Sequence, residues 1–239
     1  MPEKTNIQKL RKLAKQGVAI AQSILGYCYY IGEGVPKDFE KAINWWTKAA
    51  EQGVAIAQSI LGYCYYIGED VPKDLEKAVY WYTNAAEQGD ADAQFSLGYC
   101  YCKGEGVLKD LNKAAYWFTM SAEQGHTDAM FYLGILFKIF NEKKNCKKQC
   151  ETGLSDNLYM AEYWITKAAG QGNTDAQLYL GYYYYNKKSI SKNMSKAVYW
   201  WNMAAAQGNI EAEKMLIEAL NGKKLFTKTG PSNYIIQLF

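Results

Sequence analysis

The chain has 239 residues, 15% of them aromatic, and carries 27 Lys plus Arg against 24 Asp plus Glu, a formal net charge of +3. That near balance gives no pull toward nucleic acid or an acidic membrane surface, so no nucleic-acid partner is expected. No stretch approaches the roughly 18 consecutive apolar residues of a membrane span, and Met1–Leu13 has neither the apolar core nor the small-residue cleavage site of a secretory leader.

The expected location is therefore cytoplasmic, or inside a host cell after delivery without a cleavable signal. The chain opens on residues 1–17, which read as a capping half-repeat: Thr5–Gln16 is an amphipathic run that ends in Gln16-Gly17. A nine-residue stretch then recurs. It is W-W-T-K-A-A-E-Q-G at Trp45–Gly53, W-Y-T-N-A-A-E-Q-G at Trp81–Gly89 and W-F-T-M-S-A-E-Q-G at Trp117–Gly125. It returns as W-I-T-K-A-A-G-Q-G at Trp164–Gly172 and W-W-N-M-A-A-A-Q-G at Trp200–Gly208. The closing glycines are 36, 36, 47 and 36 residues apart. A fixed period of this size marks a helical solenoid, in which each repeat buries its apolar face on the next. Five repeats follow, at 18–53, 54–89, 90–125, 126–172 and 173–208, and 209–239 supplies a charged capping helix and a tail without repeat character.

Each repeat reads as two helices. In the first, helix A covers about Ala19–Ile31, with Ala21, Leu25 and Tyr29 on one face at i, i+4, i+8. Gly32, Gly34 and Pro36 stop it. Asp38 is placed to cap helix B by accepting from free backbone N–H groups in its first turn. Helix B covers about Phe39–Gln52, and Gly53 fits the left-handed position that closes a helix. Gly26, Gly62, Gly98, Gly134 and Gly181 sit inside the A helices, where glycine costs about 1 kcal/mol against alanine. Their recurrence predicts a close approach by a neighbouring helix bearing the Trp.

The residues Ala21, Leu25–Gly26, Tyr29, Gly32, Gly34–Val35, Asp38, Lys41–Ala42, Trp45, Ala49–Ala50 and Gln52–Gly53 spell a pattern that resembles the Sel-1-like repeat, a subfamily of tetratricopeptide-type helix pairs. The resemblance covers about 190 residues and a dozen positions in register. It implies an all-α fold, a right-handed α-solenoid of helix-turn-helix repeats, acting as an adaptor in protein complexes, degradation assemblies or bacterial–host interaction. Three departures stand out. Asp70 replaces the second loop glycine of the second repeat, the fourth carries an 11-residue insertion within Asn141–Gly153, and the fifth has the loop N-K-K-S-I-S-K-N without glycines or Asp cap.

Several motifs invite chemistry. Cys28, Cys64 and Cys100 hold equivalent positions on stacked A helices, about 8–10 Å apart. A disulfide needs Cα atoms within about 7 Å, so these three and Cys102 are expected as buried thiols. Cys146 and Cys150 lie four apart in a basic loop with Lys143, Lys144, Lys147 and Lys148. They are open to pairing, but a zinc site wants four ligands and the single His126 is distant, so no metal and no cofactor are expected. Ser189–Lys192, Ser155–Asn157 and Lys228–Gly230 spell the three signatures of penicillin-interacting serine enzymes, but in the wrong order and without an α/β context. With one His and no recurring acid pair, catalytic residues are expected to be none.

The A helices carry a second stripe, roughly 150° from the first at about 100° per residue. It holds Ile20, Ile24, Tyr27 and Ile31 in the first repeat, then Ile56, Ile60, Tyr63 and Ile67. The equivalents are Asp92, Ser96, Tyr99 and Lys103, then Asp128, Tyr132, Ile135 and Ile139, then Asp175, Tyr179, Tyr182 and Asn186. The stripe either packs between neighbouring A helices or lines a groove, apolar at the N-terminal end and wetter, acidic and tyrosine-lined later. The reading is a non-enzymatic adaptor that takes a protein or peptide partner on its concave face, with the three aspartates selecting basic residues. Its rivals are a penicillin-interacting hydrolase and a structural role in self-assembly.

Overall fold

A computed structural model describes residues 2–145, 154–186 and 190–221. Among them the fold is all-α, with 12 helices and no strand. The helices are α1 (Pro2–Lys15), α2 (Ala19–Ile31), α3 (Phe39–Glu51), α4 (Ala55–Ile67), α5 (Leu75–Glu87) and α6 (Ala91–Lys103). They continue with α7 (Leu111–Glu123), α8 (Thr127–Asn145), α9 (Leu154–Gly170), α10 (Thr174–Asn186), α11 (Ile190–Ala206) and α12 (Ile210–Leu220). The chain forms two compact units that divide within α7, one ending at Ser121 and the other starting at Ala122.

The helix ends follow from local chemistry. Asp38, Asp74 and Asp110 each accept from the backbone N–H three residues on, at 3.0–3.1 Å. Each thereby satisfies one donor that a helix start leaves free. At the far end of α3, Gly53 takes φ +87°, which lets its N–H reach Ala50 O and that of Val54 reach Ala49 O. This is the left-handed closure expected of a glycine in that place.

In the N-terminal unit the core is a series of small patches, each shared by the B helix of one repeat and the A helix of the next. Ala42, Trp46, Ala49 and Ala50 of α3 pack with Ala57 and Leu61 of α4. Ala78, Val79, Tyr82, Ala85 and Ala86 of α5 pack with Ala93, Leu97 and Cys100 of α6. Ala14 of α1 joins Ala21 and Leu25 of α2 in the same manner. In the C-terminal unit, Leu178 and Tyr182 of α10, Ala197, Trp201 and Ala204 of α11, and Ala212 and Met215 of α12 form one such patch. Nearest-neighbour burial of this kind is the signature of a solenoid.

The A-helix glycines are crossing points, but their partner is the residue after the recurrent Trp. A Cβ on Gly26 would stand 2.6 Å from Trp46 Cδ1, one on Gly62 2.5 Å from Tyr82, and one on Gly98 2.8 Å from Phe118. Trp46 is 2% exposed, whereas Trp45 is only half-buried. A second recurring device is a glutamine relay. Gln22, Gln58, Gln94 and Gln177 are buried and donate to the carbonyls of Ala14, Ala50, Ala86 and Ala169 at 3.0–3.1 Å. The side-chain oxygens of Gln22, Gln58 and Gln177 accept from Gln52, Gln88 and Gln207 at 2.7–2.8 Å. One amide thus ties three helices together and occupies a carbonyl near a helix end.

The insertion is partly helical, since α8 runs on through Asn141–Asn145. Cys146, Lys147, Lys148, Cys150, Ser189, Lys228–Gly230 and the tail 222–239 lie outside the described residues.

Candidate protein-binding groove

The second stripe of the A helices is where the N-terminal unit shows apolar surface. Ile20 is 67% exposed, and Ile24, Tyr27, Ile31, Ile56, Tyr63 and Ile67 are exposed as well. Ile60 differs: it is half-buried against the α3–α4 patch. Beside the stripe lies a cavity of about 380 Å³. Its walls come from Tyr27 and Tyr30 of α2, Phe39 and Trp46 of α3, Ile60, Tyr63 and Ile67 of α4, and Tyr82 of α5. Its rim carries three carboxylates, Glu69, Asp70 and Asp92, beside Ser59 and Ser96. Ile24 and Tyr27 continue into a second hollow, bounded by Ile7 and Leu10 of α1. Asp92 is exposed at the start of α6, and Ser96 and Tyr99 are half-buried on it.

The later positions depart from expectation. In the C-terminal unit Asp128 is exposed but is the acceptor for Asn173 Nδ2 at 2.6 Å, so it braces the residue that caps α10. Tyr132 is half-buried and Asp175 exposed. Tyr179 and Tyr182, each 3% exposed, belong to the interior instead of a wet groove wall. The reasons are local. The Tyr179 hydroxyl accepts from Lys138 Nζ at 2.9 Å, and burial pushes its phenol pKa up and that of the lysine down. Tyr182 packs on Trp201 with ring centroids 5.9 Å apart and donates to Glu211 Oε1 at 2.8 Å. Glu211 stands where Ile56 and Asp92 stand in earlier repeats, and its carboxylate captures the tyrosine. The expected tyrosine lining therefore does not extend to these two residues.

Cys28, Cys64, Cys100 and Cys102 are free thiols. Burial pushes Cys64 up to about 11 and Cys100 and Cys102 up to about 12. Among the described residues no group of three or more His, Cys, Asp or Glu is arranged to hold a metal ion. No helix among them is long and apolar enough to cross a membrane. Of the residues that shape the cavity, Tyr30, Phe39 and Glu69 escaped sequence reasoning. The one available signal was Asp70, the departure from an otherwise copied repeat.

Stacked helix pairs with an exposed apolar stripe define a helical-repeat solenoid, and comparison with known proteins narrows the class. The Sel1 repeat pattern matches at residues 19–54, 55–90, 91–126, 151–173 and 174–209. The chain belongs to the Sel1 repeat family. A Sel1 repeat protein from Oxalobacter formigenes is 31% identical over 98% of this chain and 94% of its own, with a TM-score of 0.73. The protein c5321, a protective antigen present in uropathogenic Escherichia coli strains and displaying an SLR fold, is 31% identical over 91% of this chain, with a TM-score of 0.58. The present chain spans 52% of c5321, about half its length. No curated protein matches in sequence.

Proposed function

We propose that this protein is a non-enzymatic adaptor that binds a protein or peptide segment along α2 and α4. Proteins of this family are generally protein-interaction scaffolds. The observation that carries the reading is the run of exposed isoleucines and tyrosines bordering the 380 Å³ cavity. Isolated exposed apolar residues are ordinary, but a continuous strip beside a concave pocket is the mark of a docking surface. Apolar area supplies affinity, and the carboxylates at the rim supply selection. Four buried or half-buried free thiols favour a reducing compartment such as the cytoplasm.

The test uses residues that are exposed, so that loss of binding is separable from loss of fold. Ile60 is unsuitable because it also packs on the α3–α4 patch. In Ile24→Lys with Tyr63→Lys, two anchors worth roughly 1.5–3 kcal/mol each are lost. Peptides selected by the parent chain from a displayed random library should bind the variant at least about a hundredfold more weakly, since about 1.4 kcal/mol is tenfold. The melting temperature should stay within a few degrees. A collapse of the fold would show that the stripe is structural, and unchanged affinity would move the site elsewhere.

A further inference from the structure

We infer that the cavity between α2 and α4 takes an arginine or lysine side chain of the bound segment, and that Asp70 is the residue that opens it. The inference rests on the proposed docking function and names the chemistry of its ligand. It comes from comparing three loops of the same chain. In the first and third repeats the second loop glycine, Gly34 or Gly106, has a left-handed backbone with φ +65° and +71°. In both, the preceding glutamate N–H bonds back into helix A, Glu33 to Cys28 O and Glu105 to Cys100 O at 3.0 Å. A Cβ at Gly106 would lie 2.3 Å from Leu75 O, so this loop sits directly on the first turn of α5. From there Glu105 Oε2 accepts from Tyr66 OH at 2.6 Å, a contact that joins the loop of the third repeat to helix A of the second.

In the second repeat Asp70 stands at that position. A side chain there cannot take the close path, and among the described residues no non-glycine has a positive φ. The loop runs differently: Gly68 N–H still reaches Cys64 O, but the second bond, from Glu69, is missing. Phe39, the counterpart of Leu75, is left bordering the cavity. Tyr30, the counterpart of Tyr66, is 42% exposed and leans on Phe39 and Trp46, with ring centroids 5.7 and 5.6 Å away. Its latch partner Glu69 is exposed instead, beside Asp70. One substitution thus exchanges a closed tyrosine–glutamate contact for an aromatic hollow with the exposed Glu69 and Asp70 carboxylates at its mouth.

The lining holds three carboxylates and no Lys or Arg. A flat guanidinium or an ammonium on a hydrocarbon stem matches both halves of such a site. The stem lies along Phe39 and Trp46, the charge sits over an aromatic face, and the carboxylates accept its N–H groups. Tyr30 already draws the Lys37 ammonium to 5.8 Å from its ring centroid.

The experiment is selection of displayed random peptides on the full chain, followed by affinity measurement with the selected peptides. The expected result is enrichment of Arg or Lys next to apolar residues. Asp70→Gly restores the glycine of the other loops, so it should weaken those peptides at least about tenfold while leaving the melting temperature unchanged or higher. Asp70→Asn keeps a side chain in the loop and removes the charge, and should weaken them less, with a shallower dependence on salt. Enriched peptides without basic residues would overturn the cationic ligand and leave the docking surface standing. Unchanged affinity in Asp70→Gly would overturn the role of Asp70. Failure of the parent chain to enrich any peptide over the Ile24→Lys, Tyr63→Lys variant would overturn the docking function itself.

Discussion

Gly26 illustrates how a helix accepts a poor helix former when packing demands it. Alanine there would improve propensity by about 1 kcal/mol. Its methyl would also stand 2.6 Å from the indole of the buried Trp46, closer than van der Waals contact allows. Overpacking costs about 1–3 kcal/mol, so Gly26→Ala should lower the urea midpoint despite the better propensity. Trimming the partner should recover part of the loss: Gly26→Ala with Trp46→Leu is expected to be less destabilised than the two single changes summed. Recurrence of the glycine made a crossing point legible in sequence. That Trp46 and not Trp45 fills it was not, because both lie within one helical turn of the same face. The cysteines supply a second test. Buried Cys100 and Cys102 titrate near 12, above the value of about 8.5 for a free thiol. The folded protein therefore holds protons that the unfolded chain has released. Their contribution is complete below about pH 8.5 and lost as pH rises toward the folded values. The urea midpoint should fall between pH 8 and 10.5, and fall less in Cys100→Ala with Cys102→Ala. An equal fall in both proteins would reject this account.

Between elements, the glutamine relay fixes the register of one helix pair on the next. Gln58→Leu would remove one of the two acceptors of the Gln88 amide, which keeps Asn84 O, and one of the two donors to the Ala50 carbonyl, which keeps the Gly53 N–H. Each hydrogen bond lost costs about 0.5–1.5 kcal/mol, and the urea midpoint should drop accordingly. The effect of removing Gln88 should largely disappear in the Gln58→Leu background, since both act through one contact. The A and B helices, their Asp caps and their closing glycines were all readable, because each depends on residues within a few positions in sequence. The relay was not read, although its members recur at fixed spacing: a buried amide at the start of helix A looks like an ordinary solvent-facing glutamine until its neighbour is in place. The same limit hid the burial of Tyr179 and Tyr182, whose fate is decided by Lys138 and Glu211 on other helices.

At the level of the whole molecule, the stripe was legible where the sequence was most repetitive, in the isoleucines of the first two repeats. The cavity was not, because it arises from a change of loop path that no periodicity shows. Deleting Val54–Gly89 removes a complete repeat together with Asp70. The shortened chain should remain helical and unfold cooperatively, since nearest-neighbour stability tolerates loss of a unit. It should also fail to bind basic peptides, because the glycine loop of the third repeat would then close over α3. A protein that unfolds after this deletion would contradict the repeat-by-repeat core. The matching crossings and amide ties have a further consequence. Val18–Glu33 and Val54–Glu69 are identical in sequence, so the coding segments for the first two repeats invite recombination out of register. Gain or loss of one copy would join a B helix to an A helix that it already fits. Length would then be open to inheritance as a trait, and the number of docking sites could change in a single generation without any new contact having to evolve.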